Sequence, residues 1–114
     1  MTLDDALARH LAHAAWRHRL DTELGQWHGL AWDDFVLLTA LDAAGGAMPT
    51  RALASRMGLS ASALVLRLLP LEKTGLVARA ATPEGVREVI LRGPGKRLVA
   101  EATDTAQDLC AAHR

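Results

Sequence analysis

The strongest constraint on the fold is a pair of helical patterns in the middle of the chain, separated by only a few residues. Residues 49 to 57 form the first pattern, and Pro49 suits the first position of its helix. Gly58 ends this helix, and Ser60 offers a side-chain cap for another helix that runs to about Lys73. Two helices joined by so short a turn must cross steeply, so the sequence predicts a helix-turn-helix.

Two further helices are predicted ahead of this pair. Residues 2 to about 25 form a long helix that Gly25 and Gly29 end, and another helix spans Asp33–Ala44, with Asp33 and Asp34 expected to be caps and surface charge. The long helix has two apolar stripes, so we expect it to contact both its own core and another subunit. The first stripe consists of Leu3, Leu7, Leu11, Ala14 and His18, and the second of Leu20, Leu24 and Trp27.

The pattern changes from helical to extended after the fourth helix. Leu76–Val77 and Val86–Leu91 are short β-type runs, and Thr82–Gly85 between them contains the proline and glycine of a turn. We expect a two-stranded hairpin here, an interruption at Gly93–Gly95, and a last helix over residues 96–114. The predicted fold class is mostly α with a small β-hairpin wing: a winged helix-turn-helix with helical dimerisation termini.

The chain has the length of one domain. It contains 114 residues, and 50% of them are hydrophobic, which favours a folded globular protein over a disordered one. We therefore expect a single winged domain over residues 1–114, with dimerisation helices at residues 1–28 and 96–114 and a central lobe over residues 32–92.

Motifs for secretion, membrane insertion and catalysis are missing from the sequence. The N-terminus begins with acids, and no apolar run approaches the roughly 20 residues that span a bilayer, so we expect neither a signal peptide nor a membrane segment. The single cysteine, Cys110, excludes an internal disulfide and fits a cytoplasmic protein. Without a nucleophile elbow, a phosphate loop or an HExxH motif, we expect no enzyme and no cofactor. His10, His13 and His18 lack the further ligands of a metal site, so no metal is expected.

The charge of the chain is unevenly distributed. Residues 50–97 contain nine basic and three acidic side chains, a net charge of +6, whereas residues 1–49 have a net charge of −4 and residues 98–114 of −2. A basic middle between acidic ends can give the molecule one face that suits phosphates. The alternative is that solvated charges cluster there by chance.

Residues 58–79, with the sequence GLSASALVLRLLPLEKTGLVAR, resemble the recognition segment of MarR-type regulators, the multiple-antibiotic-resistance regulator family. Leu71–Val77 is the most specific part, and the likeness extends over about residues 20–100, including Gly29–Trp32 and Gly85–Arg87. The resemblance implies a homodimer, built from the terminal helices, whose central lobe binds double-stranded operator DNA, usually as a repressor. Many such proteins respond to small aromatic or anionic effectors.

The expected DNA contacts come from three elements. The fourth helix contributes Ser60, Ser62, Val65 and Arg67, the third helix contributes Arg51, and the wing contributes Arg79 and Arg87. For Arg87, a phosphate contact and a purely structural role are both open, because the predicted wing is short.

The fourth helix departs from the family pattern on its exposed face. Val65 and Leu66 stand where the family has polar residues, and Leu69 continues the apolar face. In one interpretation, Val65 and Leu66 contact thymine methyl groups in the major groove. In the other, the face binds a protein, and the chain is a winged-helix interaction module with weakened DNA binding.

Three of the four aromatic residues, Trp16, Trp27 and Trp32, fall in or near the first two helices, where the resemblance places an effector pocket. A cleft there with His13 and Arg17 would suit an aromatic acid, so the candidate ligand-binding residues are His13, Trp16, Arg17 and Trp32. The alternative is that the tryptophans fill the core and the subunit interface.

Overall fold

The structure, a computed structural model, describes residues 1–112. Within this part the chain is mostly helical, with five helices and a small antiparallel sheet of three strands, which confirms the predicted fold class. The elements in chain order are α1 (Leu3–His28), α2 (Trp32–Ala43), β1 (Ala47–Pro49), α3 (Thr50–Met57), α4 (Ala61–Lys73), β2 (Val77–Ala81), β3 (Arg87–Leu91) and α5 (Gly93–Ala112).

The core is built around α2. Leu37, Leu38 and Leu41 of this helix have no exposed surface, and α2 contacts α1, α3, α5, β1 and β3. Leu64 and Leu68 of α4 are buried in the same cluster. Because leucines four residues apart lie on one face of a helix, their burial fixes which face of α4 points outward.

β3 is the middle strand of the sheet, with β1 and β2 antiparallel on either side. β2 and β3 form the predicted two-stranded hairpin. β1 was not predicted, because its three residues are too few to show an alternating pattern. β1 pairs from Ala47 opposite Ile90 to Pro49 opposite Glu88, which brings the start of α3 beside the start of β3. β2 is also longer than predicted and reaches Ala81.

Two predicted boundaries near glycine and proline were wrong. Pro49 is the last residue of β1 and lies just ahead of α3, which begins at Thr50. α1 continues through Gly25 to His28, because one glycine weakens a helix by only about 1 kcal/mol. Gly29, with a φ of +64°, ends α1.

The start of α5 was also predicted wrongly. The helix begins at Gly93, because Pro94 is tolerated in a first turn, where its missing amide has no helical partner. Gly95 is buried, and its backbone packs closely against the carbonyl of Leu76. The predicted end of this helix at Arg114 lies outside the described residues.

α1 has an exposed part and a buried part. Leu3, Leu7 and Leu11, from the first predicted stripe, are exposed within the chain. Leu20 and Leu24, from the second, have no exposed surface and join α1 to the body. The N-terminal half of α1 therefore presents a row of leucines that its own chain does not cover.

Among the described residues, no single helix has both the length and the apolar character needed to cross a membrane. α3 and α4 meet that criterion by length and composition only when they are taken together, and the chain bends by 97° between them. A bend of this size is within the range of a helix-turn-helix.

Candidate nucleic-acid interface

The turn before α4 sets the direction of this helix. Gly58 ends α3 with a φ of +68°, a conformation that other residues adopt only with strain. Ser60 caps α4, and its Oγ accepts a hydrogen bond of 3.2 Å from the Ala63 amide. The same Oγ lies 3.3 Å from Ser62 Oγ. Ser60, Ala61 and Ser62 are all exposed, so the first turn of α4 faces solvent.

The outward face of α4 is apolar at its centre. Leu66 is 69% exposed and Leu69 is 46% exposed, while Val65 is half-buried. Ser62, one turn earlier, provides a hydroxyl at the N-terminal end of this face. The other side of the helix lies in the core, so this apolar surface is available for a contact outside the chain.

Two adjoining grooves separate α4 from the wing, which is the β2–β3 hairpin. The first, with a volume of about 550 Å³, brings together Arg51, Ser62, Val65 and Arg87. The second, of about 540 Å³, shares Val65 and Arg87 with the first and adds Arg79. Five of the seven residues predicted to contact DNA therefore lie around one surface formed by α3, α4 and the wing.

The first groove also has lining residues that sequence reasoning missed. They are Pro49, Thr50, Ala61, Gly85 and Val86. Pro49 and Thr50 lie beside the wing because β1 pairs with β3, and that pairing had no signal in the sequence. Val86 is 48% exposed, so the wing adds a second apolar surface opposite α4.

A compact turn holds the wing. The Thr82 amide donates a hydrogen bond to the Val86 carbonyl, and the Gly85 amide donates one to the Thr82 carbonyl, each at 2.8 Å. Gly85 has a φ of +84°, which favours glycine at this place. Arg87 follows as the exposed first residue of β3 and makes no ion pair within residues 1–112.

Arg79 is already paired within the chain. Its Nε lies 2.7 Å from Oε1 of Glu72 on α4. That oxygen is buried, and the contact is an ion pair without the alignment of a hydrogen bond. Arg79 thus joins the wing to α4, and Glu72 reduces the positive charge that it presents to the second groove.

Arg67 lies on the flank of α4, toward α2 and outside both grooves. Its Nη1 is 3.5 Å from Asp33 Oδ2 and 3.7 Å from Asp34 Oδ1. Arg17 of α1 donates a hydrogen bond to the same carboxylate of Asp33. The prediction that Asp33 and Asp34 are only caps and surface charge was therefore wrong, because they join α1, α2 and α4 in one ionic network.

The surroundings of Asp34 in this network shift its pKa. Burial raises the pKa of Asp34 above its ordinary value of 3.8. The positive charge of Arg67 lowers this pKa, and the negative charges of Asp33 and Asp21 raise it. Arg67 therefore compensates a half-buried carboxylate, a role that holds its side chain away from the grooves.

The four predicted ligand-binding residues do not converge on one pocket. His13 and Arg17 line a shallow groove of about 260 Å³ along α1. The guanidinium of Arg19 lies 5.7 Å from the ring centroid of Trp16. The ring centroid of Trp32 lies 5.6 Å from that of Phe35. Neither tryptophan lines the groove. Within the described part of the chain, no three His, Cys, Asp or Glu side chains are grouped to hold a metal ion.

These features define the class of the protein. A short helix, a glycine turn and a second helix crossing at 97° are followed by a hairpin that borders the same groove. This is a winged helix-turn-helix protein.

Solved structures identify the particular type of winged helix. AbsC, a MarR family transcriptional regulator from Streptomyces coelicolor, is similar with a TM-score of 0.86 and 22% identity, over 99% of this chain and 80% of that chain. A mutant MarR from E. coli complexed with operator DNA has a TM-score of 0.84 and 19% identity, over 94% and 77% of the two chains. A MepR-like protein complexed with pseudoligands has a TM-score of 0.74 and 28% identity, over 91% and 75%.

The chain therefore has the fold of MarR family transcriptional regulators, which confirms the resemblance found in its sequence. The structures that it matches are transcriptional regulators rather than enzymes. The sequence matches no family model and no curated protein.

Proposed function

We propose that the protein is a homodimeric, sequence-specific DNA-binding transcription regulator that places α4 in a major groove. The observation that carries this proposal is the surface around α4, where Arg51 and Arg87 stand at the edge of a groove lined by Ser62 and Val65. A major groove about 12 Å wide admits a helix, and flanking guanidinium groups suit the phosphates on either side.

The charge distribution supports the same proposal. The residues from 50 to 97 that build α3, α4 and the wing have a net charge of +6. Arg51 and Arg87 are exposed and make no ion pair among the residues that the structure describes. They are therefore the arginines best able to neutralise phosphates, whereas Arg67 and Arg79 have carboxylate partners inside the chain.

The exposed leucines of α1 support a homodimer. Leu3, Leu7 and Leu11 form an apolar row, and Trp27 at the other end of the helix is 67% exposed beside α5. A two-fold pairing of the terminal helices, over residues 1–28 and 96–114, would bury these side chains. The dimer would then contain two copies of α4 related by symmetry. Half-sites about one helical turn apart are then expected in the DNA.

The regulator is further proposed to act in the cytoplasm as a repressor that a small aromatic or anionic effector controls. One similar structure is an organohalide-sensing transcriptional regulator in its 2,4-dichlorophenol-bound form, with a TM-score of 0.82 and 16% identity. In this chain, the groove with His13 and Arg17 along α1 is the candidate effector site. Trp16 lies on the same helix, and Trp32 is the first residue of α2. Titration of tryptophan fluorescence with a panel of aromatic acids tests this proposal.

The experiment that tests DNA binding is a salt series on the intact protein with duplex DNA, followed by fluorescence anisotropy. The logarithm of affinity should fall with the logarithm of salt concentration, with a slope of about −0.9 for each phosphate neutralised. Arg87→Gln should make the slope less negative by about 2, since a dimer loses two contacts. Arg9→Gln on α1 is the matched control and should leave the slope unchanged. Weak binding that ignores salt would contradict the proposal.

A second candidate function is a protein-interaction module that pairs through the apolar face of α4. The exposure of Leu66 and Leu69 favours it, since large apolar side chains exposed together often mark a binding surface. Replacing Leu66 with Asp should then abolish capture of the protein partner. If the variant loses DNA affinity and still captures the partner, this second function is excluded.

A further inference from the structure

The polar side chains of α4 and the wing are largely committed to contacts inside the chain. Arg67 pairs with two carboxylates of α2, and Arg79 pairs with Glu72. Ser60 accepts a hydrogen bond from the Ala63 amide as the cap of the helix. Few donors and acceptors are therefore left on this surface to read the edges of base pairs.

The remaining surface of α4 has an apolar centre with charged edges. Val65 lines both grooves, and Leu66 beside it is 69% exposed. Ser62 supplies one hydroxyl, and Arg51 and Arg87 border the first groove from α3 and from the wing. The guanidinium groups thus border the apolar side chains at the centre of this surface.

We infer that α4 reads thymine by apolar contact, with Val65 and Leu66 packed against the C5-methyl groups in the major groove. The inference rests on the proposed DNA-binding function and names what the helix recognises. The thymine methyl is the apolar group that the major-groove edge of an unmodified base pair presents. A G·C pair has no methyl group there, so it offers an apolar side chain no apolar contact.

The charges around the apolar centre favour DNA over a protein as the occupant. A protein that covered Val65 and Leu66 would also have to cover Arg51 and Arg87 and supply carboxylates for them. A duplex supplies phosphates at both margins of its groove together with methyl groups on its floor. Duplex DNA therefore matches both the centre and the margin of this surface.

The test replaces single thymines with uracil in the tightest-binding duplex selected from random DNA. Uracil keeps every hydrogen-bonding group of thymine and lacks only the methyl. Affinity should fall about fourfold for each contacted methyl, the value expected for one buried methylene-sized group. The salt dependence should stay the same, because no phosphate contact changes. At a contacted position, the protein should bind a duplex with 5-methylcytosine more tightly than the same duplex with cytosine.

Two leucine variants assign the effect to a residue. Leu66→Ala should bind the thymine and uracil duplexes about equally at the position that Leu66 contacts and keep the preference for thymine at a position that Val65 contacts. Its fold should be intact because the side chain is exposed. Leu69→Ala is the matched control. It lies one turn further from the N-terminal part of the helix that reaches base edges, so it should keep the preference for thymine.

The outcomes separate this inference from the proposed function. Salt-dependent binding of the selected duplex with no effect of uracil at any position would overturn the inference and leave the proposed function standing. If the protein binds no duplex, and the Leu66→Ala variant no longer binds a protein partner that the natural protein binds, both the inference and the proposed function are overturned.

Discussion

Gly95 of α5 is buried against the base of the wing, where there is no room for a side chain. A Cβ atom at this position would overlap the Leu76 carbonyl oxygen and lie 2.8 Å from Leu91 Cδ1. Because the carbonyl belongs to the backbone, it cannot rotate away as a flexible side chain would. The need for glycine here is therefore a matter of space, since Gly95 has no positive φ.

We expect Gly95→Ala to lower the free energy of unfolding by about 1–3 kcal/mol, the usual cost of overpacking a core. Gly93→Ala is the control in the same helical turn, because its Cβ would meet only the Arg97 side chain at an ordinary 3.6 Å. Denaturant unfolding of both variants measures the difference. Equal stability of the two variants would show that the wing and α5 can move apart at little cost.

Asp34 makes stability depend on pH in a direction that is unusual for an acid. Its pKa is raised in the folded chain, mainly by burial, so folding favours the protonated form. The native state then binds more protons than the unfolded state between the ordinary pKa of 3.8 and the raised pKa. Stability from this group is present in acid and is lost as the pH rises through the folded pKa.

Asp34→Asn should therefore gain stability relative to the natural protein as the pH rises through this window, and the difference should become constant above it. Unfolding measured from pH 3 to pH 7 at constant ionic strength gives the comparison. Asp42→Asn, at an exposed position near the end of the same helix, is the control for the loss of one carboxylate from α2. A relative loss of stability for Asp34→Asn with rising pH would contradict the assignment.

α4 is the element whose ends were predicted best. Ser60 caps it and it ends at Lys73, as the side-chain cap and the following glycine indicated. These signals are local, so they are readable from the sequence alone. The partner of Arg67 was not readable in this way, because Asp33 and Asp34 are distant in sequence and come near it only in the folded chain.

The wing region shows the same limit. The residues from 76 to 91 were predicted to form a hairpin, and they do. β1 was missed, and with it the pairing of Pro49 opposite Glu88 that brings α3 beside β3. That pairing places Arg51 and Arg87 around one groove, so the residue types of the site were predictable and their arrangement was not.

Ser60 caps α4 and is a proposed DNA contact, and two substitutions separate the two roles. Ser60→Ala removes the hydrogen bond that it accepts from the Ala63 amide, which should lower stability by about 1 kcal/mol. Ser60→Asp keeps a capping oxygen and so should keep stability, but its charge should weaken DNA binding by repulsion from phosphates. Thermal unfolding and anisotropy with one duplex measure the two effects. If Ser60→Asp binds DNA as tightly as the natural protein, Ser60 lies away from the phosphates.

Across the whole molecule, acidic and basic segments are separated. The N-terminal half of α1, with its row of exposed leucines, belongs to a segment with a net charge of −4, and the segment of net charge +6 builds the lobe with α4 and the wing. This division suits the proposed function, in which one surface binds a second copy of the chain and the other binds a polyanion.

Leu7→Asp should weaken the homodimer by about 100-fold or more, because an isologous interface loses the buried leucine twice. Ala12→Asp adds the same charge on another face of α1 and is the matched control. Sedimentation velocity over a concentration series measures the association of each variant. An unchanged dimer in Leu7→Asp would place the interface elsewhere.

Hydroxyl-radical footprinting on a genomic DNA fragment retained by the intact protein tests the central claim most directly. If two copies of α4 lie in successive major grooves, the footprint should contain two equivalent protected tracts with centres about one helical turn apart, roughly 10 base pairs. The Arg51→Gln and Arg87→Gln variants should lose both tracts at the same protein concentration. A single asymmetric tract, or protection that survives in these variants, would contradict the account.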